Sequence, residues 1–482
     1  MKRFLALTLT LIMLLATFTA CGGGGNEPEA TTLGDASATT TGAQDNYSKE
    51  LYVGYGRANI TPRYEDGSVM PVPLAGYPDK RIANTIFTDL FTSCTAFRDA
   101  EGDTVLFYTV DNEGLPTTIA ADMQGEIKKA TGIPIKNIFL TASHSHTAPS
   151  LGHTEYAIAQ YKTIIYNGLI EAGKAAIADL TLCTELYAGT LDGTGLNFIR
   201  RYVTDGQGQT KHEIDGDHSM PVVRFVREGK KDVILANWAA HCDTVVPVNK
   251  YAISGDFHYY FMEKAEADLN AHVSIYNAAS GDVVPFSKIA SENRYRNTRM
   301  YGRALADVLI NNISSLTKLD IKSDVSVATT TVRAEIDHSK DHMLEQAQEI
   351  IDIYYSEGNS AAYSAKCREY GIENINEANK IRDKAISSTV DAINVSAVTI
   401  GNIAFASAPY EILADTGMNI KTQSPYDLTF VLGYTNGKKG YIPPEYAYEN
   451  GGYEVYVSLF VKGTAEKIQG EISKLINRLY NT

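Results

Sequence analysis

Between residues 104 and 179 the chain changes its hydrophobic period three times. Thr104–Val110 is an apolar run of strand length. Thr117–Thr131 repeats its apolar residues at helical spacing and closes on Gly132. Ile138–Ala142 is again a short apolar run, and residues 155–179 return to helical spacing through Ile158, Tyr161, Ile164, Ile165, Leu169 and Ala172. A two-residue period and a 3.6-residue period bury different faces, so alternation of the two restricts the chain to strands covered by helices, an α/β architecture.

The rest of the chain continues the pattern. Residues 51–62 read as a strand stopped by Thr61-Pro62. Cys94–Arg98 pairs with Thr104–Val110 as a hairpin around Glu101-Gly102-Asp103, and Val222–Val226 pairs with Val233–Trp238 around Gly229. Asp256 opens a helix through Leu269, Val273–Asn277 is a strand, and Tyr295–Leu316 is helical. Val395–Ala408 and Leu428–Tyr434 are strands, Tyr453-Glu454 precedes a last strand, and Thr464–Tyr480 is a closing amphipathic helix. The expected fold is one large α/β domain over residues 50–482, with mixed β-sheet layers flanked by helices. Residues 336–390 stand apart as a charged helical insertion with a break at Gly358-Asn359. They read as a helical hairpin on the surface in preference to a lid.

The N-terminal region has a different character. Lys2 and Arg3 precede an apolar run, Phe4–Phe18, and small residues lead to Cys21: a signal peptide over 1–20 with cleavage before a cysteine. Cys21 is then the lipidated residue of an exported bacterial lipoprotein, anchored in a membrane on its extracytoplasmic side by several acyl chains. Residues 21–49, Gly-rich and polar, form a flexible tether.

Three observations limit the function. The formal net charge of -14 and the lack of a basic stripe exclude a general nucleic-acid partner. Five scattered cysteines with no C-x-x-C pair give no zinc ribbon. No G-x-S-x-G elbow, phosphate loop or dinucleotide fingerprint occurs, and Cys242 beside His241 reads as a core residue and not a nucleophile. What the chain does offer is His144 and His146 after the Ile138–Ala142 strand. On an extended backbone these two would project from one face. His241 follows the Val233–Trp238 strand, and Asp111, Asp243, Asp256, Asp282 and Glu411 occupy comparable positions. Imidazole nitrogen and carboxylate oxygen drawn from distant segments suit a hydrolytic metal site, but spacing does not choose among the carboxylates.

Several segments, in order, match one family. Gly54-Tyr55-Gly56-Arg57-Ala58-Asn59-Ile60-Thr61, Ala75-Gly76-Tyr77 and Thr141–Pro149 come first. Asn237-Trp238-Ala239-Ala240-His241, Ser254-Gly255-Asp256 and Gly281–Pro285 follow. Pro409-Tyr410-Glu411, Gly440-Tyr441 and Glu445-Tyr446 with Tyr453-Glu454 complete the series. The chain thereby resembles the catalytic domain of the neutral/alkaline non-lysosomal ceramidases, with no counterpart of that family's C-terminal β-sandwich before Thr482. The resemblance implies a Zn2+ ion held by His144, His241, Glu411 and Tyr441, with His146, Arg200 and Tyr453 around the reacting centre and Arg201 adjacent. It implies a zinc-dependent amidohydrolase that cleaves the N-acyl bond of a ceramide-like lipid by metal-activated water. The alternatives are a hydrolase of another N-acyl or ester substrate, such as an N-acylated amphiphile or amino sugar, and a non-catalytic ligand-binding surface lipoprotein.

Overall fold

The computed structural model describes residues 50–482. The signal peptide (1–20), the lipidated Cys21 and the tether (21–49) lie outside the described residues. Those described lie in one compact unit built of four layers.

Eight strands form the path of the larger sheet: β1 (Tyr52–Asn59), β2 (Phe91–Arg98), β3 (Thr104–Val110), β4 (Ile138–Ala142), β5 (Thr181–Asp192), β6 (Ser219–Arg227), β7 (Val233–Trp238) and β8 (His272–Asn277). Their spatial order is β8-β7-β6-β5-β1-β2-β3-β4, and the short strand Thr317–Leu319 pairs off this path with β5. The pairs at the two ends of the path, β3 with β4 and β7 with β8, are parallel; the others are antiparallel. The second sheet runs β9 (Val325–Glu335), β10 (Val390–Ile400), β11 (Ile403–Ser407), β12 (Leu428–Leu432), with β11 and β12 parallel.

The continuous apolar runs follow from burial on both faces. Every residue of β3 and β4 is buried. Along β3, Val105 and Phe107 point to one core and Leu106, Tyr108 and Val110 to another. The first core lies between the two sheets, where Phe107 meets Phe405 at a ring-centroid distance of 4.7 Å and Phe405 meets Phe430 at 4.9 Å. The second lies outside the larger sheet, beneath α1 (Thr117–Thr131) and α2 (Tyr156–Ala178). Val233 and Leu235 of β7 face the inter-sheet core. Ile234, Ala236 and Trp238 face α3 (Asp256–Leu269) and α4 (Thr298–Asn312). On the far side, α8 (Ala414–Gln423) and α10 (Thr464–Tyr480) cover the second sheet, α10 through Ile468, Ile472, Leu475 and Ile476. The expected α/β fold with mixed sheet layers between helices is therefore the one observed. The glycines of Gly54-Tyr55-Gly56 have a steric reason: a Cβ on Gly56 would strike the Ala172 carbonyl of α2, which crosses β1 closely.

Three expectations need correction. The insertion is not a hairpin but three helices, α5 (Leu344–Glu357), α6 (Ala361–Tyr370) and α7 (Ile375–Ala385), grown from the tip of the β9–β10 hairpin where Glu335 pairs Val390. Gly371, in the left-handed region at φ 65°, makes the second break, and Ser360 and the Asn374 side chain cap α6 and α7. Nor is it a surface excursion, because α5 and α7 contribute side chains to the cavity described below. Lastly, no strand follows Tyr453-Glu454. Tyr453–Tyr456 is a short helix, α9, and Phe460 makes a single bridge to Ile336.

Candidate metal centre

Ligands in open α/β sheets gather beyond the carboxyl ends of the strands, and the titratable residues here do the same. His144 and His146 follow β4, His241 follows β7, Asp282 follows β8, and Glu411 follows β11. Glu411 and Tyr441 face each other in register in a short parallel pair, Glu411–Ile412 with Tyr441–Ile442. The two sheets are tied together at this end. The Asn237 side chain donates to the carbonyls of Tyr276 and Val431, both at 3.1 Å, and accepts from the Val431 N–H at 3.0 Å. Thr141 bridges to Thr435.

The two histidines of the H-x-H stretch do not share an extended strand. β4 stops at Ala142, and His144 takes φ 66°, a left-handed conformation that costs a non-glycine residue about 1–3 kcal/mol. The turn is held by the His144 N–H donating to the Asn112 carbonyl at 2.8 Å and by Tyr434 stacking on the imidazole at 4.1 Å. The rings converge nonetheless, with His144 Nε2 and His146 Nε2 3.1 Å apart. The ligand nitrogens of His144, His146 and His241 all lie within 4.8 Å of one another, and all three residues are buried.

The hydrogen bonds set two of the tautomers. His144 Nδ1 lies 2.7 Å from the Glu113 carbonyl, and His241 Nδ1 lies 2.7 Å from the Ser280 carbonyl. A carbonyl only accepts, so both Nδ1 atoms carry protons and both Nε2 atoms turn lone pairs to the centre, the arrangement of metal-ligating imidazoles. His146 Nδ1 has no partner. Its ring packs on Gly76 at φ 93°, where a Cβ would collide with Nδ1. Burial holds the His144 pKa below, and those of His146 and His241 well below, the ordinary histidine value. Arg200 adds to this at His241, and His144 adds to it at His146. All three imidazoles are therefore neutral near neutral pH.

Glu411 supplies the carboxylate. Its Oε2 lies 3.5 Å from His144 Nε2 and 3.7 Å from His241 Nε2, and it is buried without a hydrogen-bond partner. A buried charge without a partner is strongly unfavourable. Two imidazole lone pairs facing an orphaned carboxylate oxygen are a donor set that a divalent cation satisfies, so these residues fit a metal ion. The Tyr441 hydroxyl, 3.4 Å from His241 Nε2, completes the group. Burial drives its pKa well above 10, while Arg200 works in the opposite direction.

His144, His146, Arg200, His241, Glu411, Tyr441 and Tyr453 all reach this region. Arg200 Nη2 donates to the Tyr441 hydroxyl at 3.0 Å, Nη1 lies 3.2 Å from His241 Nε2, and Nε donates to Glu454 at 2.8 Å. Arg201 turns away into a cluster with Glu213 and Glu454. The Tyr453 ring stands 5.6 Å from that of Tyr441 and the Arg200 guanidinium 5.5 Å from it. Of the carboxylates left open, only Glu411 faces the imidazoles. Asp111 accepts from Phe91, Asp256 from Thr244 and Val245, and Asp282 from Ala414, while Asp243 accepts from Tyr77 at the cavity wall. Sequence reasoning missed Glu113, which orients His144 through its carbonyl and pairs with Lys438 through its carboxylate. It also missed the stacked Tyr434. Neither belongs to a motif; only proximity to Asp111 and to Gly440-Tyr441 marks them.

The cavity over the cluster has a volume of about 500 Å³ and is lined by His144, His146, Arg200, Glu411 and Tyr441 among others.

The arrangement of two packed sheets between helices defines a class of α/β fold that has solved representatives. The neutral ceramidase from Pseudomonas aeruginosa aligns over 90% of this chain and 75% of its own, with a TM-score of 0.68 and 17% sequence identity. A ceramidase complexed with C2 aligns over the same shares with a TM-score of 0.64 and 15% identity. No family model matches the sequence, and no curated protein does either. The likeness therefore establishes a shared fold.

Proposed function

We propose that this chain is a zinc-dependent hydrolase of linear amides, cleaving the N-acyl bond of ceramide-like compounds. The observation that carries the reading is the orphaned, buried Glu411 carboxylate facing the Nε2 lone pairs of His144 and His241. The ceramidase fold of its structural neighbours supports the reaction class. His144, His241, Glu411 and Tyr441 would hold the ion. When bound, zinc supplies Lewis acidity and a water whose pKa falls toward ~7.

The other residues have separate work. His146 is neutral, faces the same centre through Nε2, and has no carbonyl fixing its Nδ1. It is free to take a proton from water and deliver it to the departing amine. Arg200 is held by Glu454 and by Tyr441, so its guanidinium is oriented before substrate arrives. Such preorganised donors stabilise a developing oxyanion. Tyr453, 40% exposed at the cavity edge, offers a further hydroxyl. The N-terminal signal and Cys21 support export and anchoring to a membrane, which brings the cavity to a lipid source.

The test is fatty-acid release from N-acylsphingosine by the protein lacking residues 1–21. Turnover that a chelator abolishes and added zinc restores is the expected result. Chelator-resistant turnover removes the metal from the mechanism, and no turnover on any N-acyl amide removes the function.

A further inference from the structure

The cavity at the metal centre has an unusual lining for a hydrocarbon substrate. Among the described residues, no leucine, isoleucine, valine, methionine or phenylalanine lines it. A long alkyl chain seated there would lack the apolar wall against which its methylenes gain from burial. Larger apolar side chains occur in two neighbouring cavities past Tyr453: Val457 and Leu459 in one, which Asn376 and Asn379 also line, and Val284 and Phe286 in the other. His146, the proton donor to the amine in the reading above, lines the first cavity and neither of these two.

The polar wall comes from the insertion. Asn376 and Asn379 stand one turn apart on α7 and line the cavity, and neither side-chain amide has a hydrogen-bond partner among the described residues. Each carboxamide offers two donors and an acceptor. Two cations nearby are paired, Lys438 with Glu113 and Arg200 with Glu454, and the carboxyl groups of Glu411 and Asp243 also line the cavity. The remaining apolar surface is small or aromatic. Tyr77 and Tyr355, 41% and 62% exposed, line it alongside Ala75 and Pro78. Unpaired carboxamides and tyrosine rings complement a group that has hydroxyls at its edges and C–H bonds on its faces.

We infer that this cavity recognises the amine half of the scissile amide as a hydroxyl-rich group of the amino-sugar type, and that α7 is its specificity wall. The acyl chain then lies outside this cavity. The inference rests on the proposed amide hydrolysis and, within it, puts an amino sugar in place of the long-chain base of a ceramide as the leaving group.

Two amides with the same acyl group separate the outcomes: N-octanoylglucosamine and N-octanoylhexylamine. The expected kcat/KM ratio favours the glucosamine amide on the order of tenfold or more. Asn376→Leu with Asn379→Leu brings the ratio near one, mainly through KM, and Tyr355→Leu, at an exposed position, lowers it in the same direction. A wild-type protein that prefers the hexylamide or treats both alike overturns the inference, as does a ratio that these substitutions leave unchanged. Calorimetric titration with glucosamine separates the inference from the reaction. Where neither amide is cleaved, binding that weakens on the order of tenfold in the double variant upholds the wall and rejects the hydrolase. Absence of glucosamine binding by the wild-type protein rejects the wall.

Discussion

His144 sits in a left-handed conformation that its side chain alone disfavours, and its surroundings hold it there. Its backbone N–H, its Nδ1 and its ring face all have partners: the Asn112 carbonyl, the Glu113 carbonyl and Tyr434. Strain compensated this fully is a mark of functional positions. His258 of α3 shows the opposite case, a buried titratable group with no such partner at Nε2. Desolvation lowers its pKa from 6.5 to about 3. As pH falls below 6.5 the unfolded chain takes up a proton that the folded chain refuses, so stability falls with pH between 6.5 and about 3 and is fully present above that window. His258→Phe removes this dependence. Urea unfolding at about pH 7.5 and about pH 5 is expected to show the wild type losing about 2 kcal/mol more than the variant on acidification. Equal losses contradict the assignment.

At the scale of elements, Asn237 joins β7 to β12 by two hydrogen bonds with Val431 and so covers a backbone edge of the second sheet. Asn237→Leu leaves the Val431 N–H buried and unpaired. Chemical denaturation is expected to register a loss of about 2–4 kcal/mol, and a loss below about 0.5 kcal/mol would mean the sheets are joined elsewhere. The sequence carried much of this level. The strands and helices of 104–179 were legible because each buries a face at its own period, and Glu411 and Tyr441 were legible through the order of short motifs. The convergence of His144 and His146 was expected from strand alternation, whereas a left-handed turn produces it. The insertion was misread because helical periodicity shows which face is buried but not what covers that face. Its buried stripe (Ile350, Ile351, Cys367, Ala378, Ile381) closes on itself, which leaves Asn376 and Asn379 for the cavity.

At the scale of the whole molecule, the centre draws on both sheets. His144 and His241 extend from the larger one, while Glu411 follows the second sheet and meets Tyr441 in a ladder of its own. Phe107, Phe405 and Phe430 pack between the sheets and hold the two groups of ligands in one frame. The central claim is that this frame holds one metal ion and that the neighbouring imidazoles have different tasks. Elemental analysis of the purified protein lacking residues 1–21, beside amide turnover, tests this directly. The wild type is expected to carry about one zinc per chain, His144→Ala to lose both zinc and turnover, and His146→Ala to keep zinc while turnover falls on the order of a hundredfold or more. Zinc retained in full by His144→Ala, or a wild-type protein that binds none, would contradict the account.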